Sequence, residues 1–216
     1  MSRATDRAYQ ILKRKILSGE LQPGVQLKEE EVAEMCGVSR TPVRDVMNRL
    51  EAEMFIQRSD SQRSFVSKWS ADDVDELFTL RQMLESHAVG RAAERVDDDI
   101  LRKLDDNVQA MQAAIRLPTP DVDAFLRING EFHGLIIEAA ASERLAALIN
   151  RLVLQPIVHR TALRYGPEQL ERSLSEHVEI VAALRHRDRD WASAVMMSHI
   201  RRAFHAYVEG SRVEEE

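Results

Sequence analysis

One run constrains the folding of this 216-residue chain more than any other: Glu30-Glu-Val-Ala-Glu-Met-Cys-Gly-Val-Ser-Arg-Thr-Pro-Val-Arg-Asp-Val-Met-Asn-Arg-Leu50. It holds two short amphipathic segments separated by Gly37, which permits a tight turn. Ser39 is a good N-cap for the second segment. Pro42 is tolerated in a first turn, where its missing N–H has no intrahelical partner to lose. The second helix should run to about Glu53, with Val43, Val46, Met47 and Leu50 on an inward stripe. Arg40, Arg44 and Asn48 then share another face at i, i+4, i+8 spacing. Two short helices joined by a glycine-containing turn are the grammar of a helix-turn-helix.

The flanking sequence completes a small domain. Residues 5–18 predict a helix with Ala8, Ile11, Leu12, the stem of Lys15 and Ile16 on one side; Gly19 stops it, and Gln22-Pro23-Gly24 makes a turn. Glu29–Cys36 predicts a short helix whose glutamates suit the positive end of its dipole. Phe55–Arg58 and Ser64–Ser67 read as two short strands around the polar tip Ser59-Asp60-Ser61-Gln62, which makes the front segment, 1–69, a winged helix-turn-helix. Composition changes near Lys68–Asp72, and Ser70 with Asp73 has capping-box spacing. Beyond it no strand pattern is visible. Helices are expected at 71–95, 98–116, 121–140, 143–164, 168–186 and 189–209, and the Glu214–Glu216 tail is expected to fray. The fold class is thus mainly α: a winged helix-turn-helix followed, over 70–216, by a six-helix antiparallel bundle.

Charge is unevenly spread. The chain carries a net charge of −6, yet residues 1–68 hold 12 basic against 10 acidic residues and the remainder 18 against 26. A mildly basic front on an acidic body suits phosphate contacts, which need only a local positive patch. The charged N-terminus lacks the apolar core of a signal peptide, and no stretch reaches the roughly 18 apolar residues of a membrane span. The single cysteine, Cys36, excludes an internal disulfide and reads as a small buried residue. A cytoplasmic protein with no membrane partner is the expectation.

The residue types on the second helix suit base recognition. Arginine can donate two hydrogen bonds to guanine, and asparagine can pair with adenine. The Ser39 and Thr41 hydroxyls and the free N–H groups of the helix start can hold a phosphate. Leu21-Gln-Pro-Gly24, Leu27, Val38-Ser-Arg-Thr-Pro-Val-Arg44 and Arg49-Leu50 resemble the N-terminal domain of the GntR family of bacterial regulators. The six-helix back half resembles its FadR subfamily, whose ligand domain is called FCD. The resemblance implies that Arg40 and Arg44 read bases and that Thr41 touches phosphate; Ser39, Asn48 and the wing residue Arg63 complete the candidate DNA-binding set. It also implies a dimer on a near-palindromic double-stranded operator. The chain departs from the family in having Met54 and Ser64 where glycines are usual, the second of them in the wing.

In the back half three histidines sit within apolar stripes. His133 aligns with Leu126, Asn129, Ile136 and Ile137; His177 with Leu170, Leu174, Val178 and Val181; His199 with Ala192, Val195, Met196 and Ala203. Each is expected to face the bundle interior, with Asn129 one turn before His133. A lone buried histidine is usually a core residue, but three on three helices point to a metal, for which imidazole is the commonest ligand. Phe132-His133, Glu176-His177 and His199 resemble the metal pattern of FCD domains, where an aspartate stands at the position of Asn129. By that resemblance a divalent ion, zinc or nickel, is held by Asn129, His133, His177 and His199. Arg81 resembles the arginine that meets a ligand carboxylate, implying a small organic-acid effector; its other reading is a surface salt bridge with Glu85. His87 and His159 are further candidates to line the pocket.

Three neutral imidazoles and a neutral amide leave a divalent charge uncompensated, so metal and an anionic effector are expected to bind as a coupled pair. The function implied is a ligand-responsive transcriptional regulator, a repressor released by its effector. The alternatives are a metal-dependent enzyme, with Glu131 or Glu176 as base, or a metal-dependent scaffold with a vestigial DNA domain. A di-iron bundle is disfavoured because no Glu-x-x-His pair occurs.

Overall fold

The computed structural model describes residues 3–153, 161 and 165–213. The described residues fall into two compact units, one ending at Ser70 and the other beginning at Ala71.

The first unit opens with α1 (Arg3–Leu17), then β1 (Gln26–Leu27), α2 (Glu29–Cys36), α3 (Arg40–Ala52), β2 (Ile56–Arg58) and β3 (Ser64–Val66). Gly37 ends α2 with φ 64° and ψ 40°, its N–H directed at the Ala33 and Glu34 carbonyls. That left-handed conformation favours glycine and sets the short turn into α3. Ala8, Leu12, Ile16, Val32, Cys36, Val43, Val46, Met47, Leu50, Phe55, Ile56 and Val66 form one buried core. Burial of each larger side chain contributes about 1.5–3 kcal/mol before the entropy of ordering is set against it. The sheet is antiparallel in the order β1-β3-β2, with Leu27 and Arg58 both paired to Ser64. The strand β1 went unseen in the sequence, since two residues carry no alternation to read.

The second unit contains six helices among its described residues: α4 (Ala71–Arg95), α5 (Asp98–Ile115), α6 (Val122–Ala139), α7 (Glu143–Val153), α8 (Pro167–Arg185) and α9 (Arg189–Val213). Asp97 and Asp121 cap α5 and α6, each accepting a backbone N–H three residues on. The close pairing of α4 with α9 depends on Gly90: a Cβ there would lie 2.6 Å from Ser193 Oγ, whose hydroxyl donates to the Ser86 carbonyl at 3.0 Å. The expected helix over 143–164 is described over Glu143–Val153; its continuation through 154–160 and 162–164, with His159, lies outside the described residues, as does the Glu214–Glu216 tail. No described helix is long and apolar enough to cross a membrane.

Candidate metal centre and nucleic-acid interface

The face of α3 turned away from the core is polar throughout. Ser39, Arg40, Thr41, Arg44 and Asn48 are exposed, while Val43, Val46 and Leu50 are fully buried on the opposite side. Ser39 occupies the N-cap position with extended backbone, but its hydroxyl makes no capping hydrogen bond. Each candidate base-reading side chain already has a neighbour. Arg44 Nε donates to Glu29 Oε1 at 2.9 Å, Arg40 pairs with Glu30, and Arg58 donates to Asn48 Oδ1. A groove of about 550 Å³ runs between α3 and the hairpin, lined by Lys28, Glu29, Arg44, Asn48, Arg58 and Arg63 among others. Four cations against one carboxylate make it a local positive patch on an acidic protein. Lys28 and Arg58 were not singled out in the sequence. Arg58 ends β2, and the packing of β2 against α3 brings it beside Asn48.

The wing differs from the sequence expectation in one respect. Ser64 is a buried strand residue paired with Leu27 and Arg58, so glycine's freedom is not needed there. The left-handed residue of the hairpin is Gln62, with φ 59°, within a turn closed by Ser59 N–H to the Arg63 carbonyl at 2.9 Å. Met54 does adopt the conformation that the usual glycine would favour, at φ 61°.

In the second unit α6, α8 and α9 bring His133, His177 and His199 together, each 6% exposed or less. One ring nitrogen of each lies within 4.8 Å of the others. All three stripes face inward at their histidines, although Val178, expected beside His177, is half exposed. Every ring has one nitrogen within 2.7 Å of an oxygen behind it. His177 Nδ1 meets the Ser173 carbonyl at 2.6 Å, His199 Nδ1 meets Glu176 Oε2 at 2.7 Å, and His133 Nδ1 lies 2.7 Å from Glu85 Oε2. The Nε2 atoms of His133 and His177 are buried without a hydrogen-bond partner. An imidazole whose Nδ1–H donates to an acceptor presents its Nε2 lone pair, which is the tautomer a metal requires. The donor set therefore fits a divalent ion. Burial, with the neighbouring His199 and His133, pushes His177 well below its usual value of 6.5. Burial also lowers His199, against the pull of Glu176.

Neither carboxylate behind these rings was read as the partner of a metal-binding histidine, although Glu176 was weighed as a base. Glu85 is 2% and Glu176 6% exposed. Burial opposes ionisation of Glu85, but Arg81 and His133 hold its carboxyl down at about 2. Arg81 is itself 5% exposed and donates from Nε to Glu85 Oε1 at 2.8 Å, so the i, i+4 pair exists but is buried rather than on the helix surface. The expectation of a site with no anionic help is corrected accordingly: two carboxylates stand directly behind two of the histidines. Each is also shared with a guanidinium, Glu85 with Arg81 and Glu176 with Arg202. Histidine i, i+4 stripes pointed inward in the sequence, but no local pattern tells which buried acid on another helix will meet which ring.

A cavity of about 440 Å³ adjoins the cluster, lined by Arg81, Phe125, Asn129, His133, Tyr165 and His199 among others. Asn129, the fourth proposed ligand, shares this wall with His133. His87 is exposed on α4 and is not among the lining residues. Of the two carboxylates considered as catalytic bases, Glu131 lies on an exposed face, paired with Arg127 at 2.7 Å, and Glu176 is buried between His199 and Arg202.

Comparison with known proteins adds the following. Residues 4–66 match the bacterial regulatory proteins of the gntR family, and residues 76–202 match the FCD domain. The HTH-type transcriptional repressor RspR of Escherichia coli (strain K12) is 30% identical over 199 residues, covering 89% of this chain and 83% of that protein. The uncharacterized HTH-type transcriptional regulator YdhC of Bacillus subtilis (strain 168) is 28% identical over 193 residues, 88% of this chain and 85% of that one. The solved structure of E. coli McbR/YncC superposes with a TM-score of 0.80 over 97% of this chain and 99% of its own, at 23% identity.

Proposed function

The chain belongs to the GntR family of bacterial transcriptional regulators and carries an FCD domain, and from that premise we propose that it is a repressor released from its operator by a small organic acid bound beside a divalent metal ion. The observation that carries this reading is the histidine cluster: three buried rings, each with Nδ1 engaged from behind, two of them with an unpartnered buried Nε2. His133, His177 and His199 would hold the ion, zinc or nickel, with Asn129 as a neutral oxygen ligand from the cavity wall. When bound, the metal supplies a Lewis-acidic anchor for an anion. The residues of the chain do the rest. Arg81 supplies a buried cation on the same wall, and Phe125 with Ile200 gives the cavity an apolar side.

Ser39, Arg40, Thr41, Arg44, Asn48 and Arg63 would face DNA, the arginines of α3 exchanging Glu29 and Glu30 for base edges. Operator contact would be made by a homodimer in the cytoplasm, one recognition helix per half-site. Exposed Leu80 and Met83 on α4 and Leu148 on α7, which packs against α4, support a subunit face there. RspR, whose name makes it a transcriptional repressor, supports the sign of regulation.

The test is a fluorescence-anisotropy titration of operator duplex at several salt concentrations, with a panel of carboxylic acids, with and without zinc. Salt-dependent binding lost on adding one acid, and only with metal present, is expected. Asn129→Asp should tighten metal binding and lessen its dependence on the acid, since the new carboxylate supplies the anion the acid otherwise brings. DNA binding indifferent to every acid and metal would overturn the effector reading while leaving the DNA-binding assignment intact.

A further inference from the structure

Glu85 has two oxygens and two claimants. Oε1 accepts from Arg81 Nε at 2.8 Å, and Oε2 lies 2.7 Å from His133 Nδ1. All three side chains are almost wholly buried, where charges act strongly on one another because little water screens them. Their access to the cavity differs. Arg81 and His133 line it, while Glu85 stands behind them and does not. An anion entering the cavity can therefore reach the guanidinium but not the carboxylate. With Nε used on Glu85, a guanidinium still has four N–H donors to offer.

We propose that Arg81 and Glu85 form a charge exchanger that couples a cavity carboxylate to the metal at His133. With the cavity free of anions, Arg81 neutralises Glu85, and His133 feels little of the carboxylate's charge. A carboxylate that pairs with Arg81 draws the guanidinium toward the cavity and loosens its hold on Oε1. The charge of Glu85 then bears on the Nδ1–H of His133, which makes the ring a stronger donor to a cation at Nε2. The linkage is reciprocal: a cation at His133 draws Glu85 toward the ring and frees Arg81 for the anion. The coupling thus runs through one shared carboxylate, and the anion need not touch the metal.

This rests on the metal-and-acid reading above, and the two can fail separately. The experiment is calorimetric titration of Zn²⁺ into the full-length protein in chloride or acetate buffer of equal ionic strength, for the wild type, Arg81→Met and Glu85→Gln. For the wild type, acetate should tighten zinc binding about five- to fiftyfold. Arg81→Met, which unmasks Glu85, should bind zinc roughly tenfold more tightly than the wild type in chloride and should not respond to acetate. Glu85→Gln should bind zinc roughly tenfold more weakly in chloride, with its acetate response also lost. These opposite shifts from two members of one ion pair are not produced by a merely structural role. If Arg81→Met fails to fold, Glu85→Gln decides alone, because glutamine keeps the size of the side chain and one oxygen to accept from His133 Nδ1–H, while its amide nitrogen cannot accept from Arg81. An unchanged acetate response in Glu85→Gln overturns the exchanger and leaves direct contact between anion and metal. A wild type that binds no zinc overturns the metal reading and the exchanger with it.

Discussion

Glu176 holds His199 from behind: its Oε2 meets His199 Nδ1 at 2.7 Å, while its other oxygen pairs with Arg202. This arrangement fixes which ring nitrogen of His199 is left to face His133 and His177. Replacing the carboxylate by an amide keeps an oxygen for the Nδ1–H but removes the charge. Glu176→Gln should therefore lower zinc affinity roughly tenfold to a hundredfold, and His177→Ala should abolish it, as read by competition with a chromophoric chelator. Wild-type affinity in both variants would return the three histidines to the ordinary core.

Acid should destabilise the metal-free protein well above the carboxylate range. His177 and His199 are held below 6.5 when folded, chiefly by burial. Between their folded values and 6.5 the unfolded chain binds more protons than the folded one. Stability is therefore complete above about pH 6.5 and declines as the pH falls from there. Urea midpoints measured from pH 7.5 down to 5 should drop across this window, and zinc should steepen the drop because protons then compete with the ion as well. A flat profile to pH 5 would contradict buried neutral rings.

On the DNA side, the proposed base contact would require Arg44 to leave Glu29, its partner at 2.9 Å. Arg44→Ala should weaken operator binding roughly tenfold to a hundredfold and relax preference at one position per half-site. Thr41→Val should instead weaken binding to every duplex alike. Gel-shift titrations on operator and random duplex separate the two; an equal loss on both from Arg44→Ala would make it a positioning contact only.

Met54 carries backbone strain with no burial to justify it, at φ 61° and 50% exposed. A side chain in the left-handed region costs about 1–2 kcal/mol, partly offset in glycine by the greater freedom of its unfolded chain. Met54→Gly should stabilise the winged unit by about 1 kcal/mol, seen as a higher urea midpoint for its unfolding. A lower midpoint would mean that the Met54 side chain contributes packing that outweighs the strain.

Most of the architecture is legible in the sequence, because its signals are local. The turn at Gly37, the inward stripe from Val43 to Leu50 and the breaks between the bundle helices each lie within a few consecutive residues, and helix periodicity states which face of each segment is apolar. The same periodicity pointed His133, His177 and His199 inward. The histidine centre could be suspected in the sequence, but its surroundings could not be read there. Pairing of Glu85 with His133 and of Glu176 with His199 joins residues 48 and 23 positions apart, and nothing local distinguishes these acids from the many that face water. The same holds for Arg58 beside Asn48, for the wing's left-handed residue at Gln62 rather than Ser64, and for β1. The helices, their buried faces and the residue types of the centre followed from side-chain spacing along single segments. Which charges stand behind which rings depends instead on how separate helices pack, and packing sums many weak contacts that no single segment encodes.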